Sequence, residues 1–273
     1  MYDNAMTEAS KYALIELANH LKLYHNDIVL IGGWAPYFIT QGYFPHNGSQ
    51  DIDLVIRTEI PIQQDSIYDI LRRLRYSVSR FNKYQFLKKV VSPDNDWTYQ
   101  VKLEFLCEKD GIELTGGTRE VQKGLRAHAF EGMSIAFDFN YEEALRLGDF
   151  ASATNVTFKV VDLVGCLALK GESHPKRFEV DKQQKDAYDI FALTYYNGGI
   201  SQASEYFNQT ISGKKIPLKN QELLKRSLAY ISKIFSDKNQ KGSYHVELFA
   251  PEHNSSIVAA RMNKFLNDLN LDF

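Results

Sequence analysis

The sequence has few cysteines, no long apolar run and no excess of positive charge. Its two cysteines, Cys107 and Cys166, form no CxxC pair and have no histidine at a zinc-ligand spacing, so we expect buried, reduced thiols. No apolar run approaches membrane-spanning length, and the start of the chain lacks the basic and apolar regions of a signal peptide. These absences predict a cytoplasmic protein with no membrane partner.

The net charge is −2 at pH 7, so no overall field attracts nucleic acid. A polynucleotide partner would therefore need a local basic patch. The candidates are short clusters, and each is better explained by a solvated surface than by a binding site: Arg72, Arg73 and Arg75; Lys88 and Lys89; Lys214 and Lys215. Charge alone predicts no partner.

The 273 residues are enough for two modest hydrophobic cores, and the pattern of apolar residues changes along the chain. The first part alternates, with helices predicted at residues 7–24, 34–41 and 62–76 and strands at 27–31 and 51–56. Residues 77–139 favour antiparallel strands, the last near 133–139. From residue 160 onward only helices are predicted, the first over 160–170. We therefore expect an α/β (α+β) fold: residues 1–155 with a small mixed sheet, then a helical domain over residues 156–273.

A glycine pair follows the first predicted strand. Gly32 and Gly33 end the apolar run of residues 28–31 and precede a predicted helix. Glycine lets the backbone approach a ligand closely, and a helix N-terminus presents N–H groups to anions. The pair is a candidate phosphate-binding turn, although Gly-Gly taken alone is more often a plain turn.

Three carboxylates follow on predicted strands. Asp51 and Asp53 alternate with apolar residues, so both should project from one face while Ile52 and Leu54 enter the core. Two adjacent carboxylates repel each other unless a cation lies between them, and Mg²⁺ prefers oxygen ligands. Glu104 lies on a later strand, where simple alternation with Lys102 could equally place it in water.

The order of these features resembles the signature of the nucleotidyltransferase superfamily. The resemblance implies a nucleotidyltransferase-fold N-terminal domain that binds an NTP with Mg²⁺ or Mn²⁺. It implies that Gly32, Gly33 and Ser49 contact phosphates, and that Asp51, Asp53 and Glu104 ligate metal. The loop between the glycines and Asp51 is longer than in compact members of the superfamily.

A second resemblance lies in the helical half. Leu167-Ala168-Leu169-Lys170 followed by Lys185-Asp186-Ala187-Tyr188-Asp189-Ile190 is similar to the AbiEii-type toxins, which include the MenA-like group. In that family the lysine contacts nucleotide phosphates and the later aspartate lies at the active site.

The resemblance implies roles for three residues of this chain. Lys170 and Asp189 would be nucleotide-binding, and Asp186 would be catalytic together with Glu104. Asp186 and Asp189 are three residues apart and so share one helical face. The expected acceptor is tRNA or protein, and the expected setting includes an antitoxin partner.

Two alternatives stay open at this point. A small-molecule nucleotidyltransferase of the aminoglycoside-modifying type would use the same first domain, with carboxylates in the helical half to bind a cationic acceptor. A non-catalytic nucleotide-binding module could retain the fold, although the intact carboxylates Asp51, Asp53 and Glu104 argue against it. Mg²⁺-dependent NTP binding would separate the enzymes from a degenerate module.

Overall fold

The structure is a computed structural model that describes residues 4–92, 95–111, 117–145 and 156–271. The chain divides into two compact units. The first contains residues 1–35 and 47–161, and the second contains residues 36–46 and 162–273. The short segment 36–46 therefore belongs to the second unit, although both of its flanking segments belong to the first.

The first unit contains a mixed sheet with helices. Within the described residues nine strands join this sheet, in the order β3-β4-β5-β2-β1-β9-β8, with β7 beside β5 and β6 beside β7. The strands are β1 Ile28–Ile31, β2 Asp51–Ile56, β3 Ser77–Val78, β4 Gln85–Val91, β5 Thr98–Glu108, β6 Thr118–Gln122, β7 Leu125–Phe130, β8 Asn140–Leu145 and β9 Val156–Val161. The helices are α1 Asn4–His20, α2 Trp34–Ile39, α3 Ile67–Arg73 and α4 Ile135–Asp138, of which α2 crosses from the first unit into the second.

The strand pairing fixes which side chains share a face. Strand β2 runs antiparallel to β1 and parallel to β5. Because side chains alternate along a strand, Ile52, Leu54, Leu103 and Phe105 all enter the core, where each is fully buried. Helix α1 contacts β5, β9, β4 and β2, and its residue Leu14 is fully buried too. The polar residues of β2 and β5 consequently lie on the other face.

The second unit is helical. Its helices are α5 Leu163–Ser173, α6 Val180–Ala192, α7 Ile200–Ser212, α8 Leu218–Ile234, α9 Lys241–Phe249 and α10 Ser255–Asn267. Asp162 caps α5, because its carboxylate accepts a hydrogen bond from the Gly165 N–H at 3.0 Å. Helix α5 packs closely on α8, since a Cβ on Gly171 would lie 2.7 Å from the Cβ of Ser227.

Aromatic side chains hold segment 36–46 on this helical unit. Phe44 is buried, with its ring 5.4 Å from Tyr188, 4.7 Å from Tyr195 and 5.5 Å from His253. The Tyr188 hydroxyl also donates to the Pro45 carbonyl at 3.3 Å. These contacts explain why a segment that precedes β2 in the chain folds with the C-terminal helices.

The predicted fold class is confirmed: a mixed α/β fold whose C-terminal region is helical. The predicted strand near residues 133–139 is wrong, because residues 135–138 form α4 and the next strand, β8, begins at Asn140. The predicted helix over 160–170 begins too early, since Val160 and Val161 end β9 and Asp162 starts α5 as its cap. Cys107 and Cys166 are buried free thiols, and none of the helices in the described ranges is long and apolar enough to cross a membrane.

Candidate functional site

Gly32 forms a tight turn at the end of β1, directly against Asp53. Its φ of +70° lies in the left-handed region, which side chains other than glycine rarely adopt. A Cβ on Gly32 would lie 2.0 Å from Oδ2 of Asp53, far closer than van der Waals contact. Both the backbone conformation and the space therefore require glycine here. Gly33 follows and leads into α2, which has only six residues.

Asp51, Asp53, Lys102 and Glu104 lie on one face of the sheet. In the parallel pairing of β2 with β5, Asp53 is the register partner of Glu104, and Asp51 is the partner of Lys102. Paired residues on neighbouring strands point to the same side, as do residues two apart on one strand. We call these four residues the carboxylate face. The sequence pattern predicted that Asp51 and Asp53 share a face, and the register of β2 with β5 places Glu104 on the same face.

Lys102 is the residue of this face that the sequence pattern did not single out. Its ammonium Nζ lies 2.8 Å from Oδ2 of Asp51. Burial alone would lower the pKa of Lys102, but its hydrogen bond to Asp51 and the charges of Asp51, Glu104 and Asp53 raise it. Lys102 is therefore a cation at neutral pH. Its position two residues before Glu104 on the same strand was the signal that could have identified it.

Glu104 is flanked by neutral polar and aromatic groups. The Gln85 side-chain amide donates to Oε1 of Glu104 at 2.7 Å, across the β4–β5 register. Burial, followed by the Glu104 charge, raises the pKa of Tyr84, while burial lowers the pKa of His128 although Glu104 opposes that shift. The two rings lie 4.5 Å apart. Tyr84 and His128 are thus both neutral at pH 7.

Ser49 precedes β2 in the same unit and is buried, with 6% of its surface exposed. The turn before it is tight, because a Cβ on Gly48 would lie 2.9 Å from the ring of Trp34 and Gly48 has a φ of +74°. Ser49 lies two residues before Asp51.

The donor chemistry of the carboxylate face suits a hard divalent cation, because carboxylate oxygens are the ligands that Mg²⁺ and Mn²⁺ prefer. In the part of the chain that the structure describes, no three His, Cys, Asp or Glu side chains converge closely enough to form a metal centre. The Asp51 carboxylate is instead held by Lys102. The residue types therefore fit a metal ion, and the ammonium group of Lys102 already forms a salt bridge with one of the three carboxylates.

A second cluster of charges lies in the helical unit, around Lys170 of α5. The Lys170 ammonium is buried, 2.5 Å from Oδ1 of Asp186 and 2.6 Å from Oδ2 of Asp189, both on α6. Lys185 binds both oxygens of Asp189 at 2.9 Å, and Arg177 binds Oδ2 of Asp186 at 3.1 Å. Asp186 and Asp189 share a helical face, as their spacing predicted.

The electrostatics of this cluster keep its carboxylates ionised. Burial raises the pKa of Asp189, but the charges of Lys170 and Lys185 and a hydrogen bond from His46 outweigh it and lower the pKa. Burial also raises the pKa of Asp186, and the charges of Lys170 and Arg177 outweigh it, so that this pKa is lowered too. For Lys170, burial lowers the pKa and the two aspartates raise it, with a net rise. Three cations and two carboxylates leave the cluster at +1.

His46 joins this cluster from segment 36–46, and the sequence pattern did not identify it. Its Nε2 lies 2.9 Å from Oδ1 of Asp189, and both side chains are almost fully buried. Burial lowers the pKa of His46 in spite of the neighbouring Asp189. His46 is neutral at pH 7, so its Nε2–H donates to the carboxylate. Asp189 therefore binds three side chains and lies at the centre of the cluster.

Comparison with known proteins gives two similar solved structures. No protein-family model and no curated protein matches the chain. An antigenic nucleotidyltransferase-like protein from Paracoccidioides brasiliensis is 16% identical with a TM-score of 0.46, over 83% of this chain and 88% of that one. JHP933 from Helicobacter pylori is 12% identical with a TM-score of 0.47, over 98% of this chain and 92% of that one. At these sequence identities and TM-scores, neither similarity assigns a role to any residue of the site.

Proposed function

We propose that this protein is a metal-dependent nucleotidyltransferase, which transfers a nucleoside monophosphate from an NTP to an acceptor hydroxyl. One observation carries the proposal: Asp51, Asp53 and Glu104 share one face of the sheet, and the Gly32 turn packs directly against Asp53. The turn and the carboxylates are thus neighbours in the first unit as well as in order along the chain. The sequence resemblance to nucleotidyltransferases supports the same reading.

Asp51, Asp53 and Glu104 would hold Mg²⁺ or Mn²⁺. When bound, the metal neutralises phosphate charge and stabilises the leaving pyrophosphate. Lys102 already supplies one positive charge to Asp51, so it limits the repulsion among the carboxylates before any metal binds. This gives Lys102 a definite role in the proposed site.

The other predicted site residues of the first unit would bind and orient the substrates. The N–H groups at Gly32 and Gly33 and the Ser49 hydroxyl are suited to phosphate oxygens. Glu104 would accept the proton of the attacking hydroxyl, or ligate metal, because it lies beside Asp53 on the same face of the sheet.

The cluster of the helical unit would serve the nucleotide and the acceptor. We propose that Lys170 contacts phosphate by exchanging one aspartate partner for a phosphate oxygen, and that Asp186 orients the acceptor. The family resemblance assigns Asp189 to nucleotide binding, but its three partners and complete burial favour a role in holding Lys170, Lys185 and His46 in place. Its contribution to nucleotide binding would then be indirect.

The sequence resemblance to AbiEii-type toxins supports a more specific proposal, a toxin that modifies tRNA or protein and is paired with an antitoxin. Growth arrest on expression, relieved by Asp53→Ala, would agree with that role. Unchanged growth arrest with Asp53→Ala would separate toxicity from the proposed chemistry.

The reaction can be tested with NTPs labelled at the α-phosphorus, incubated with Mg²⁺ and either total tRNA, protein lysate or aminoglycosides. Label in an acceptor, absent with γ-labelled NTP and lost in Asp53→Ala, is the expected result. Glu222→Ala is a matched control, because Glu222 is an exposed carboxylate on α8. Label in aminoglycosides alone would favour the small-molecule alternative, and labelling by the Asp53 variant equal to that by the control would overturn the metal assignment.

A further inference from the structure

Residues 70–93 contain seven basic residues and no carboxylate, within a protein whose net charge is −2. The basic residues are Arg72, Arg73, Arg75, Arg80, Lys83, Lys88 and Lys89. A run of this length without any acid concentrates positive charge in one part of the first unit. The structure decides which of these charges are available to a partner.

Two of the seven form salt bridges with other residues of the protein, and of these only Lys88 is buried. Lys88 is buried and pairs with Glu16 of α1, and Arg73 binds Oδ2 of Asp65 at 2.8 Å. The other five are exposed, and within the described ranges no carboxylate forms a salt bridge with them: Arg72, Arg75, Arg80, Lys83 and Lys89. Most of the positive charge of the run therefore faces solvent.

The turn between β3 and β4, residues 79–84, presents an aromatic ring among these cations. Phe81 lies between Arg80 and Lys83 in sequence, and 93% of its surface is exposed. The turn has a defined conformation, because the Ser79 N–H donates to the Gln85 carbonyl at 2.8 Å and the Gln85 N–H donates to the Asn82 carbonyl at 3.0 Å. A large apolar ring held in water by an ordered turn is available to stack on a ligand.

The turn ends directly beside the carboxylate face. Gln85, the first residue of β4, is the register partner of Glu104 and donates to its carboxylate. Further along β4, Leu87 pairs with Lys102 and Lys89 pairs with Gln100, so Lys89 lies on the same face as Glu104. Lys89 therefore adds a positive charge to the face that would bind the nucleotide, four residues along β4 from Gln85.

We infer that residues 79–84 and Lys89 form a binding surface for single-stranded nucleic acid, in which Phe81 stacks on a base and Arg80, Lys83 and Lys89 bind backbone phosphates. Aromatic rings interleaved with cations are the features by which proteins bind single strands without sequence preference. Duplex DNA would use the cations but offers no unstacked base to Phe81. This inference rests on the proposed function for one point only: the bound strand would supply the acceptor hydroxyl.

A second exposed phenylalanine shows why the surroundings of Phe81 matter. Phe178 is 97% exposed and also follows basic residues, but its cations are neutralised. Arg177 binds Asp186, Lys176 pairs with Glu172, and Lys182 binds Glu179 at 3.0 Å. Both sites expose an aromatic ring, but only at residues 79–84 do the neighbouring cations lack a carboxylate partner among the described residues. Phe178 therefore provides a matched control.

The test is equilibrium binding of fluorescein-labelled eight-nucleotide oligo(U) and oligo(dT) to the full-length protein. Binding is followed by anisotropy over a range of salt concentrations, with EDTA and without NTP. Phe81→Ala should raise Kd roughly 5- to 100-fold, as expected for loss of one stacked base. Arg80→Ala combined with Lys83→Ala should reduce the slope of log K against log salt by about 1.4, or about 0.7 for each phosphate that is no longer neutralised. Phe178→Ala should leave both quantities unchanged.

Several results would overturn the inference. These are no binding of either oligonucleotide by the unmodified protein, equal weakening by Phe178→Ala and Phe81→Ala, or an oligo-glutamate peptide that binds more tightly than both strands. All substituted side chains are exposed, and circular dichroism melting should confirm that the variants fold alike. The assay contains no metal or NTP, so it is independent of the transfer reaction. Strand binding without any transfer would refute the proposed function alone, and transfer to an acceptor without strand binding would refute this inference alone.

Discussion

Replacing Gly32 with alanine should disable the proposed metal site by displacing Asp53. The new Cβ would lie 2.0 Å from Oδ2 of Asp53, and ordinary contact begins at 3.4 Å, so the carboxylate must move by about 3.4 − 2.0 = 1.4 Å. A displacement of about 1 Å in a catalytic group can reduce a rate roughly 100-fold. We therefore expect kcat/KM for NMP transfer to fall at least about 100-fold.

Gly42→Ala separates this effect from backbone strain. Gly42 has a φ of +82°, similar to the +70° of Gly32, but a Cβ there would meet no atom within 4 Å. Gly42→Ala should lose about 1–2 kcal/mol of unfolding free energy, because left-handed backbone disfavours a side chain, and Gly32→Ala should lose at least as much because Asp53 must also move. Only Gly32→Ala should also lose the thermal stabilisation by NTP with Mg²⁺. If the two variants show the same stabilisation and activity, Asp53 does not act where we place it.

Three further predictions concern the charged groups of the two units. Lys170→Met leaves Asp186 and Asp189 buried without their shared cation, so urea unfolding should show a free energy of unfolding lower by about 3–5 kcal/mol. A decrease below about 1 kcal/mol would show that these charges are not buried together as described. Because the pKa of Asp189 is lowered in the folded protein, its contribution to stability is present above the unfolded pKa of about 4 and is lost as the pH falls. Asp189→Asn should therefore be less stable than the unmodified protein at pH 7, and its stability should depend less on pH on the acid side. An unchanged dependence of stability on pH would contradict this role of Asp189. Lys102→Met removes the cation that competes with metal for Asp51, so calorimetry should show tighter Mg²⁺ binding without NTP. Weaker Mg²⁺ binding would mean that Lys102 holds the carboxylates in position instead of competing with the metal.

The local features of the carboxylate face could be predicted from the sequence. Strict alternation in residues 51–54 placed Asp51 and Asp53 on one face and Ile52 and Leu54 in the core, because a strand has a period of two. The pairing of Asp53 with Glu104 could not be predicted in the same way. It depends on the register between two strands that are about 50 residues apart, which the core fixes and local periodicity does not.

The charged cluster around Lys170 could likewise be predicted only in part from the sequence. Spacing placed Asp186 and Asp189 on one side of α6, but the contact of His46 with Asp189 spans 143 residues. No local pattern identifies segment 36–46 as part of the second unit; the burial of Phe44 among distant aromatic rings does so. The wrong strand at residues 133–139 has a different cause, because a short apolar run favours strand and helix alike.

The proposed metal–nucleotide site is tested most directly by calorimetric titration of NTP into the unmodified protein and into Asp53→Asn, each with Mg²⁺ and with EDTA. This substitution keeps the shape of the side chain and removes its charge. Glu222→Gln, a matched change on the exposed side of α8, is the control. We expect the unmodified protein and the control to bind NTP only with Mg²⁺. We expect Asp53→Asn to bind it more weakly by a factor of about ten or more, which corresponds to about 1.4 kcal/mol. Binding that is equally tight in EDTA, or unchanged in Asp53→Asn, would contradict a metal–nucleotide site at the carboxylate face.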